Sequence, residues 1–141
     1  LVQLKKLKFN LNKRQKNFDI HTNFLKRYTN YFILPKQLPG SKSGWLAYPI
    51  TIKEYAPFTR TQMQIFLEKR NIQTRVVFTG NILRQPGFKN MKMKNNKKGY
   101  PEADKVMKSG ILIACHHGLN DKMINHIHKS IDEFISSKVE V

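Results

Sequence analysis

The residues best suited to recognising a ligand lie between Gln73 and Pro86, in the stretch Gln-Thr-Arg-Val-Val-Phe-Thr-Gly-Asn-Ile-Leu-Arg-Gln-Pro. Its β-branched run predicts a strand that carries Arg75 and Phe78, and the Gly-Asn pair after it predicts a turn. The turn would present three polar side chains in one loop: Asn81, Arg84 and Gln85. Guanidinium and amide groups at a strand end suit phosphate, carboxylate or sugar hydroxyl groups. An ordinary surface loop explains the same residues, in which case Arg75 would pair with a carboxylate that ties the sheet to a helix.

Four of the five histidines and the one cysteine raise the question of a metal site or a thiol nucleophile. His116 and His117 are neighbours at a predicted strand end and point to opposite faces, while His126 and His128 are two apart on a predicted helix and do not converge. Cys115 is the sole cysteine, and no zinc-ligand spacing is present. We therefore expect no metal site and interpret Cys115 as a buried residue at a strand end.

The elements that position these residues begin with a helix predicted over residues 1–33. Apolar residues recur there every seven positions: Leu4, Leu11, Phe18, Leu25 and Phe32. Their stripe favours a helix packed on a protein body over a helix lying on a membrane surface. Because a helix of about 30 residues spans roughly 45 Å, more than a small unit buries, we expect it to lie against something larger.

Two further segments follow the helix. Residues 34–43 contain Pro35, Pro39 and Gly40 and predict an irregular linker. Residues 44–141 predict a small α/β domain. Its predicted elements are a strand over 45–52, a helix with a capping box at Thr59 and Gln62 and a left-handed end at Asn71, a strand over 74–79, a basic loop over 80–100, a helix over 101–109, a strand over 111–114 and a final helix capped by Asn120.

This order predicts an α/β fold of the two-layer α+β kind. We expect a short, mostly antiparallel sheet with helices on one face, preceded by the long N-terminal helix. Pro49 lacks an N–H for a strand ladder, so it argues for an edge position or a bulge.

Charge is the strongest compositional feature. The chain has 26 Lys and Arg against 9 Asp and Glu in 141 residues, a formal net charge of +17. Such a surface attracts polyanions, but no RNP-type aromatic motif, zinc-finger spacing or Gly-rich KH loop accompanies it. A basic nucleic-acid-binding module and a stand-alone interaction domain stay open as alternatives.

The sequence also limits the cellular setting. No apolar run approaches the roughly 18 residues of a membrane helix, and a lone cysteine fits a reducing cytoplasm. The chain opens on Leu1 rather than on Met, so we expect a piece of a longer protein.

Five motifs occur in an order typical of one protein family. They are Tyr31-Phe-Ile-Leu-Pro, Ser43-Gly-Trp-Leu-Ala-Tyr-Pro-Ile-Thr-Ile, Ala56-Pro-Phe-Thr-Arg, Gln73-Thr-Arg through Arg84-Gln-Pro, and Cys115-His-His-Gly-Leu. Together they resemble the C-terminal region of the nucleotide-sugar aminotransferase and dehydratase family. The nearest branch is the 3-dehydratases that act on CDP- or GDP-4-keto-6-deoxyhexoses in bacterial lipopolysaccharide and O-antigen synthesis. The resemblance covers nearly the whole chain.

The resemblance implies a fold-type-I enzyme, a cytoplasmic homodimer that uses pyridoxal 5'-phosphate or pyridoxamine 5'-phosphate. It implies that this chain is the small C-terminal domain, and that a missing N-terminal domain holds the cofactor and a histidine that replaces the Schiff-base lysine. This chain would then have no catalytic residue and no cofactor of its own, and would be inactive alone.

The resemblance also assigns a substrate-binding role to seven residues: Arg75, Phe78, Asn81, Arg84, Gln85, His116 and His117. Close relatives often carry Tyr-Pro at the position of the two histidines, which leaves the role of His116 and His117 and the choice of nucleotide sugar open. Dehydration or transamination, and an iron–sulfur cluster in the missing part, stay open as well.

Overall fold

The structure is a computed structural model that describes residues 1–94 and 99–139. The helices in these ranges are Val2–Lys5 (α1), Leu7–Leu25 (α2), Arg60–Glu68 (α3), Pro101–Ser109 (α4) and Asp121–Val139 (α5); the strands are Phe32–Ile33 (β1), Ala47–Ile52 (β2), Arg75–Val76 (β3) and Gly110–Ala114 (β4). Short 3-10 helices cover Lys26–Tyr28, Ile82–Arg84 and Pro86–Phe88. None of the helices within the described ranges is long and apolar enough to cross a membrane.

The strands form one antiparallel sheet in the order β1-β2-β4-β3. β2 pairs with β4 from Ala47 to Thr51, whereas β1 and β3 each add only two residue pairs. The predicted short antiparallel sheet is confirmed.

One face of the sheet forms the core. Tyr48 and Ile50 of β2 stand opposite Ile113 and Ile111 of β4, and all four are fully buried. The helical side chains packed in the same core come from three helices: Phe18 and Leu25 of α2, Met63 and Leu67 of α3, and Ile127, Ile131, Phe134 and Ile135 of α5. Alternate strand residues such as Leu112 and Ala114 are half-buried on the other face.

The N-terminal helix is shorter than predicted. It breaks at Lys6 and ends at Leu25, so the prediction of helix over residues 26–33 is wrong apart from one 3-10 turn. Phe32 has the predicted apolar spacing, but it is buried as part of a strand paired with Ile52. The backbone N–H of Lys53 extends this pairing by donating to the Tyr31 carbonyl at 2.8 Å.

The strand predicted over 74–79 contains only Arg75 and Val76. The chain leaves the sheet because Phe78 has a φ of +47° and its N–H donates to the Val76 carbonyl at 2.9 Å, two residues back. A positive φ is uncommon for an aromatic residue and carries backbone strain.

Pro49 lies in an inner strand but in an edge-like part of it. β2 runs between β1 and β4, yet β1 pairs only with Thr51 and Ile52. The missing N–H of Pro49 therefore interrupts no ladder with β1, which reconciles the residue with its position.

The local helix signals are confirmed. The Thr59 side chain accepts from the Gln62 N–H, and the Gln62 side chain accepts from the Thr59 N–H at 2.8 Å. At the other end of α3, Asn71 has a φ of +58°, and the N–H of Ile72 donates to the Leu67 carbonyl at 3.0 Å. This is the Schellman arrangement.

The remaining predictions concern connections and boundaries. Residues 34–46 contain neither helix nor strand, as expected of a linker, and Cys115 is fully buried directly after β4. Part of the loop predicted over 80–100, residues 95–98, lies outside the described residues. The division into a connecting helix, a linker and a small domain stays a prediction.

Candidate functional site

A pocket of about 370 Å³ lies where β4 runs past the end of β3. β3 pairs with β4 only as far as Leu112, so the rest of that β4 edge lacks a β3 partner. The apolar lining includes Leu112, Ala114, Leu119 and Met123. The sheet register thus creates a pocket with an apolar floor, the usual form of a small-molecule site.

The polar groups of this pocket are basic or neutral. Arg75 and His116 both line it, together with Asn71, Gln73 and His126. Neither Asp nor Glu is among the described lining residues, and Arg75 has no carboxylate within 4.0 Å in the described part of the chain. Arg75 therefore forms no direct ion pair there. Hydrogen bonds from Thr74 lower the pKa of Glu68 on α3, and the charge of Arg75 adds to this lowering. The basic and neutral lining of the pocket suits an anionic or hydroxyl-rich group.

Two other predicted site residues, Asn81 and Arg84, contact Asp104 instead, and Gln85 makes a contact within the same loop. Arg84 forms a bidentate ion pair with the Asp104 carboxylate, at 3.0 Å from Nε and 2.8 Å from Nη2. The buried Asn81 amide donates to the same carboxylate at 2.7 Å, and Gln85 donates to the Thr79 carbonyl at 2.9 Å. The contacts from Arg84 and then Asn81 lower the pKa of Asp104 to about 2. Asn81 and Arg84 thus hold the loop onto α4.

Phe78 and His117 lie outside the pocket. The Phe78 side chain is 87% exposed, so the strained backbone holds an aromatic ring in solvent. His117 is half-buried, and its Nδ1 lies 3.4 Å from Nη2 of Arg14 in α2. Of the seven predicted residues, the structure therefore joins Arg75 and His116 in one pocket. The substrate role of all seven stays a prediction.

Sequence reasoning missed a hydrogen-bonded pair of histidines, the buried His21 and the half-buried His128. His21 Nδ1 of α2 lies 2.9 Å from His128 Nε2 of α5, and His21 Nε2 lies 3.0 Å from the Ala114 carbonyl oxygen. Burial lowers the pKa of both histidines to about 4, so both are neutral at pH 7. The signal in the sequence is that His21 lies four residues before Leu25, inside the apolar stripe.

A second, larger cleft of about 870 Å³ lies between the segment 53–62 and α4. It is lined by apolar residues, by the two carboxylates Glu54 and Asp104, and by four cations: Lys53, Arg60, Lys105 and Lys108. The Arg60 guanidinium donates to the Met107 carbonyl at 2.5 Å, which satisfies an orphan acceptor at the end of α4. None of the seven predicted residues lines this cleft.

Metal and thiol chemistry find no support. In the described ranges, no three side chains of His, Cys, Asp or Glu come together as metal ligands. Burial raises the pKa of Cys115 to about 12, so this thiol stays protonated at neutral pH and is a poor nucleophile.

Comparison with known proteins gives both sequence relatives and a fold relative. The chain is 29% identical over 134 residues to the lipopolysaccharide biosynthesis protein RfbH of Salmonella typhimurium, covering 95% of this chain and 30% of that protein. It is 36% identical over 110 residues to the dTDP-4-dehydro-2,6-dideoxy-D-glucose 3-dehydratase of Saccharopolyspora spinosa, covering 74% and 22%. The structure of E. coli GDP-4-keto-6-deoxy-D-mannose-3-dehydratase with bound hydrated PLP matches with a TM-score of 0.73 at 24% identity, covering 92% of this chain and 33% of that one.

The chain thus spans about a third or less of each of these proteins. The model of the DegT/DnrJ/EryC1/StrS aminotransferase family matches residues 1–132. This chain belongs to the DegT/DnrJ/EryC1/StrS aminotransferase family.

Proposed function

We propose that this chain is the C-terminal small domain of a PLP-dependent nucleotide-sugar enzyme, a 3-dehydratase or an aminotransferase of deoxysugar and O-antigen synthesis. The family match, the names of the relatives and the small share of each relative that the chain spans support this proposal. The complete enzyme would be a cytoplasmic homodimer, and a preceding domain would hold the cofactor.

The described residues do not fit a complete cofactor site. PLP requires a residue for Schiff-base or proton chemistry and a partner for its pyridinium nitrogen. The pocket with Arg75 offers neither a lysine nor a carboxylate among its described lining residues. The larger cleft holds lysines and Glu54 beside the paired Asp104, but none of the seven predicted site residues lines it. We therefore assign cofactor chemistry to the preceding domain and derive no step through it.

The role proposed for this chain is recognition on the substrate side. The observation that carries it is the shared pocket of Arg75 and His116 on an apolar floor. A guanidinium binds phosphate oxygens in a bidentate manner, and an imidazole N–H donates to a sugar hydroxyl. Phe78 and His117 belong to the same proposal as groups at the edge of this region.

A titration of the isolated chain with GDP-mannose, a stable GDP-hexose, tests this role. We expect backbone amide NMR shifts to change at Arg75 and His116. Arg75→Gln should weaken binding at least tenfold, because a charge-assisted bidentate contact is lost. Arg27→Gln is the matched control, since Arg27 is paired with Asp132 and is not one of the predicted site residues, and it should change the affinity less than threefold.

Two results would overturn the proposal. If the amide shift changes are confined to Lys53 and Lys108, GDP-mannose binds in the larger cleft and not in the pocket of Arg75. Binding of an oligonucleotide with steep salt dependence, and no response to GDP-mannose, would favour the nucleic-acid alternative. The gene sequence before Leu1 supplies a further test, because a domain with a histidine or lysine at the cofactor position is expected there.

A further inference from the structure

Three polar residues of α2 face the segment that follows β4. Arg14, Asn17 and His21 are three and four residues apart, so they share one side of the helix. Asn17 Nδ2 donates to the His116 carbonyl at 2.8 Å, and His21 Nε2 lies 3.0 Å from the Ala114 carbonyl. We call residues 114–117 the histidine segment.

The contacts cover the histidine segment almost residue by residue. Besides the two carbonyl bonds, Arg14 Nη2 reaches His117 Nδ1 at 3.4 Å, and the Cys115 thiol donates to the Arg14 carbonyl at 3.7 Å. Helix α2 therefore contacts Ala114, Cys115, His116 and His117 through four separate hydrogen bonds.

Two of these bonds are made by fully buried side chains. Asn17 and His21 are both 0% exposed, so water does not replace a lost partner easily. Because His21 Nε2 faces a carbonyl, it carries the hydrogen, and His21 Nδ1 accepts from His128 Nε2. The buried polar side of α2 thus fixes the segment in one arrangement.

We infer that Asn17 is a positioning residue, which sets the place of the His116 imidazole in the pocket by holding the His116 carbonyl. The inference rests on the proposed function in assuming that His116 contacts the nucleotide sugar. Within the turn, the His116 carbonyl also accepts from the Leu119 N–H at 3.2 Å, and Gly118 N–H donates to His116 Nδ1 at 3.2 Å, which orients the ring. Asn17 ties this turn to α2.

The test uses Asn17→Asp, which keeps the shape of the side chain. An ionised carboxylate cannot donate to the His116 carbonyl, but a protonated carboxyl can donate through its O–H. The displacement of the segment should therefore grow as the pH rises through the pKa of the new carboxyl, which burial raises, and should reverse on acidification. A purely structural role predicts lower stability without this reversal at His116.

The measurements are the amide shifts of residues 114–119 between pH 5.5 and 8, the affinity for GDP-mannose, and the thermal midpoint. At pH 8 we expect shift changes centred on His116 and about fivefold weaker binding, the change expected for one hydrogen bond. Asn12→Asp is the matched control, because it is the same substitution at an exposed position of α2. Asn17→Leu removes the donor without a charge, and serves if the buried aspartate unfolds the chain.

The outcomes separate the two proposals. If the unaltered chain does not bind GDP-mannose while Asn17→Asp still displaces His116 with the expected pH dependence, the positioning stands and the proposed substrate role fails. If Asn17→Asp and Asn17→Leu leave the histidine segment and the affinity as in Asn12→Asp, the positioning inference is refuted.

Discussion

The hydrogen-bonded pair of the buried His21 and the half-buried His128 makes the stability of this chain fall in mild acid. Burial lowers the pKa of each imidazole from 6.5 to about 4 in the folded state. The two imidazoles take up protons near pH 6.5 in the unfolded chain but only near pH 4 in the folded chain. The stabilising contribution is therefore complete above pH 6.5, is lost as the pH falls towards 4, and does not decrease further below that.

The size of the effect follows from the shift. A difference of 2.5 between 6.5 and about 4 corresponds to about 3 kcal/mol for one imidazole. His21 is 0% exposed, so solvent screening does not reduce this figure much. We expect the free energy of unfolding to fall by at least about 3 kcal/mol between pH 7 and pH 4.

The assay is urea unfolding at several pH values, followed by the fluorescence of Trp45, whose ring is stacked on Phe18 at 4.1 Å. In His21→Gln the loss between pH 7 and pH 4 should be about 3 kcal/mol smaller, while carboxylates titrate equally in both proteins. His126→Gln, an exposed histidine of the same helix as His128, should keep the slope of the parent chain. An unchanged slope in His21→Gln would refute the reasoning.

Three further predictions address the scaffold of the site. Thr59→Ala removes the capping box of α3 and should lower the free energy of unfolding in urea by about 1 kcal/mol, whereas the exposed Thr61→Ala should not. Gly80→Ala should cost about 2–4 kcal/mol, because φ is +65° and the new Cβ would lie 2.4 Å from Met107 Cβ. Gly40→Ala, with a φ of +75° but open space, should cost only about 1 kcal/mol in the same assay. Asp104→Asn should speed amide hydrogen exchange at Leu83, whose N–H donates to the Asn81 side chain, while Glu102→Gln, which affects an exposed pair with Lys105, should leave it unchanged.

Signals within a few residues of one another were predictable from the sequence. The capping box of Thr59 and Gln62 and the left-handed Asn71 depend on backbone groups three to five residues away. The local sequence therefore contains the information needed to predict them. The end of the N-terminal helix was not predictable in this way. Phe32 satisfies a heptad and a strand equally, and only its pairing with Ile52, 20 positions later, decides between them.

The site shows the same limit. Arg75 and His116 share a pocket because β3 and β4 pair in one register, which no local pattern specifies. Arg84 is as suitable for phosphate as Arg75 by residue type, but Asp104 occupies it from another helix. The role of Asn17 was not predictable either, because a polar residue on an amphipathic helix is expected to face water, whereas Asn17 is buried.

The contacts of α2 also determine the order in which the chain can complete its fold during synthesis. Asn17 finds its partner 99 residues later, and His21 finds Ala114 and His128 after 93 and 107 residues. At about 5–20 residues per second, the ribosome delivers those partners some 5–20 s after the helix itself. For that time Asn17 and His21 lack their hydrogen-bond partners, although Trp45 and Tyr48, whose rings pack against Phe18, follow it much sooner along the chain.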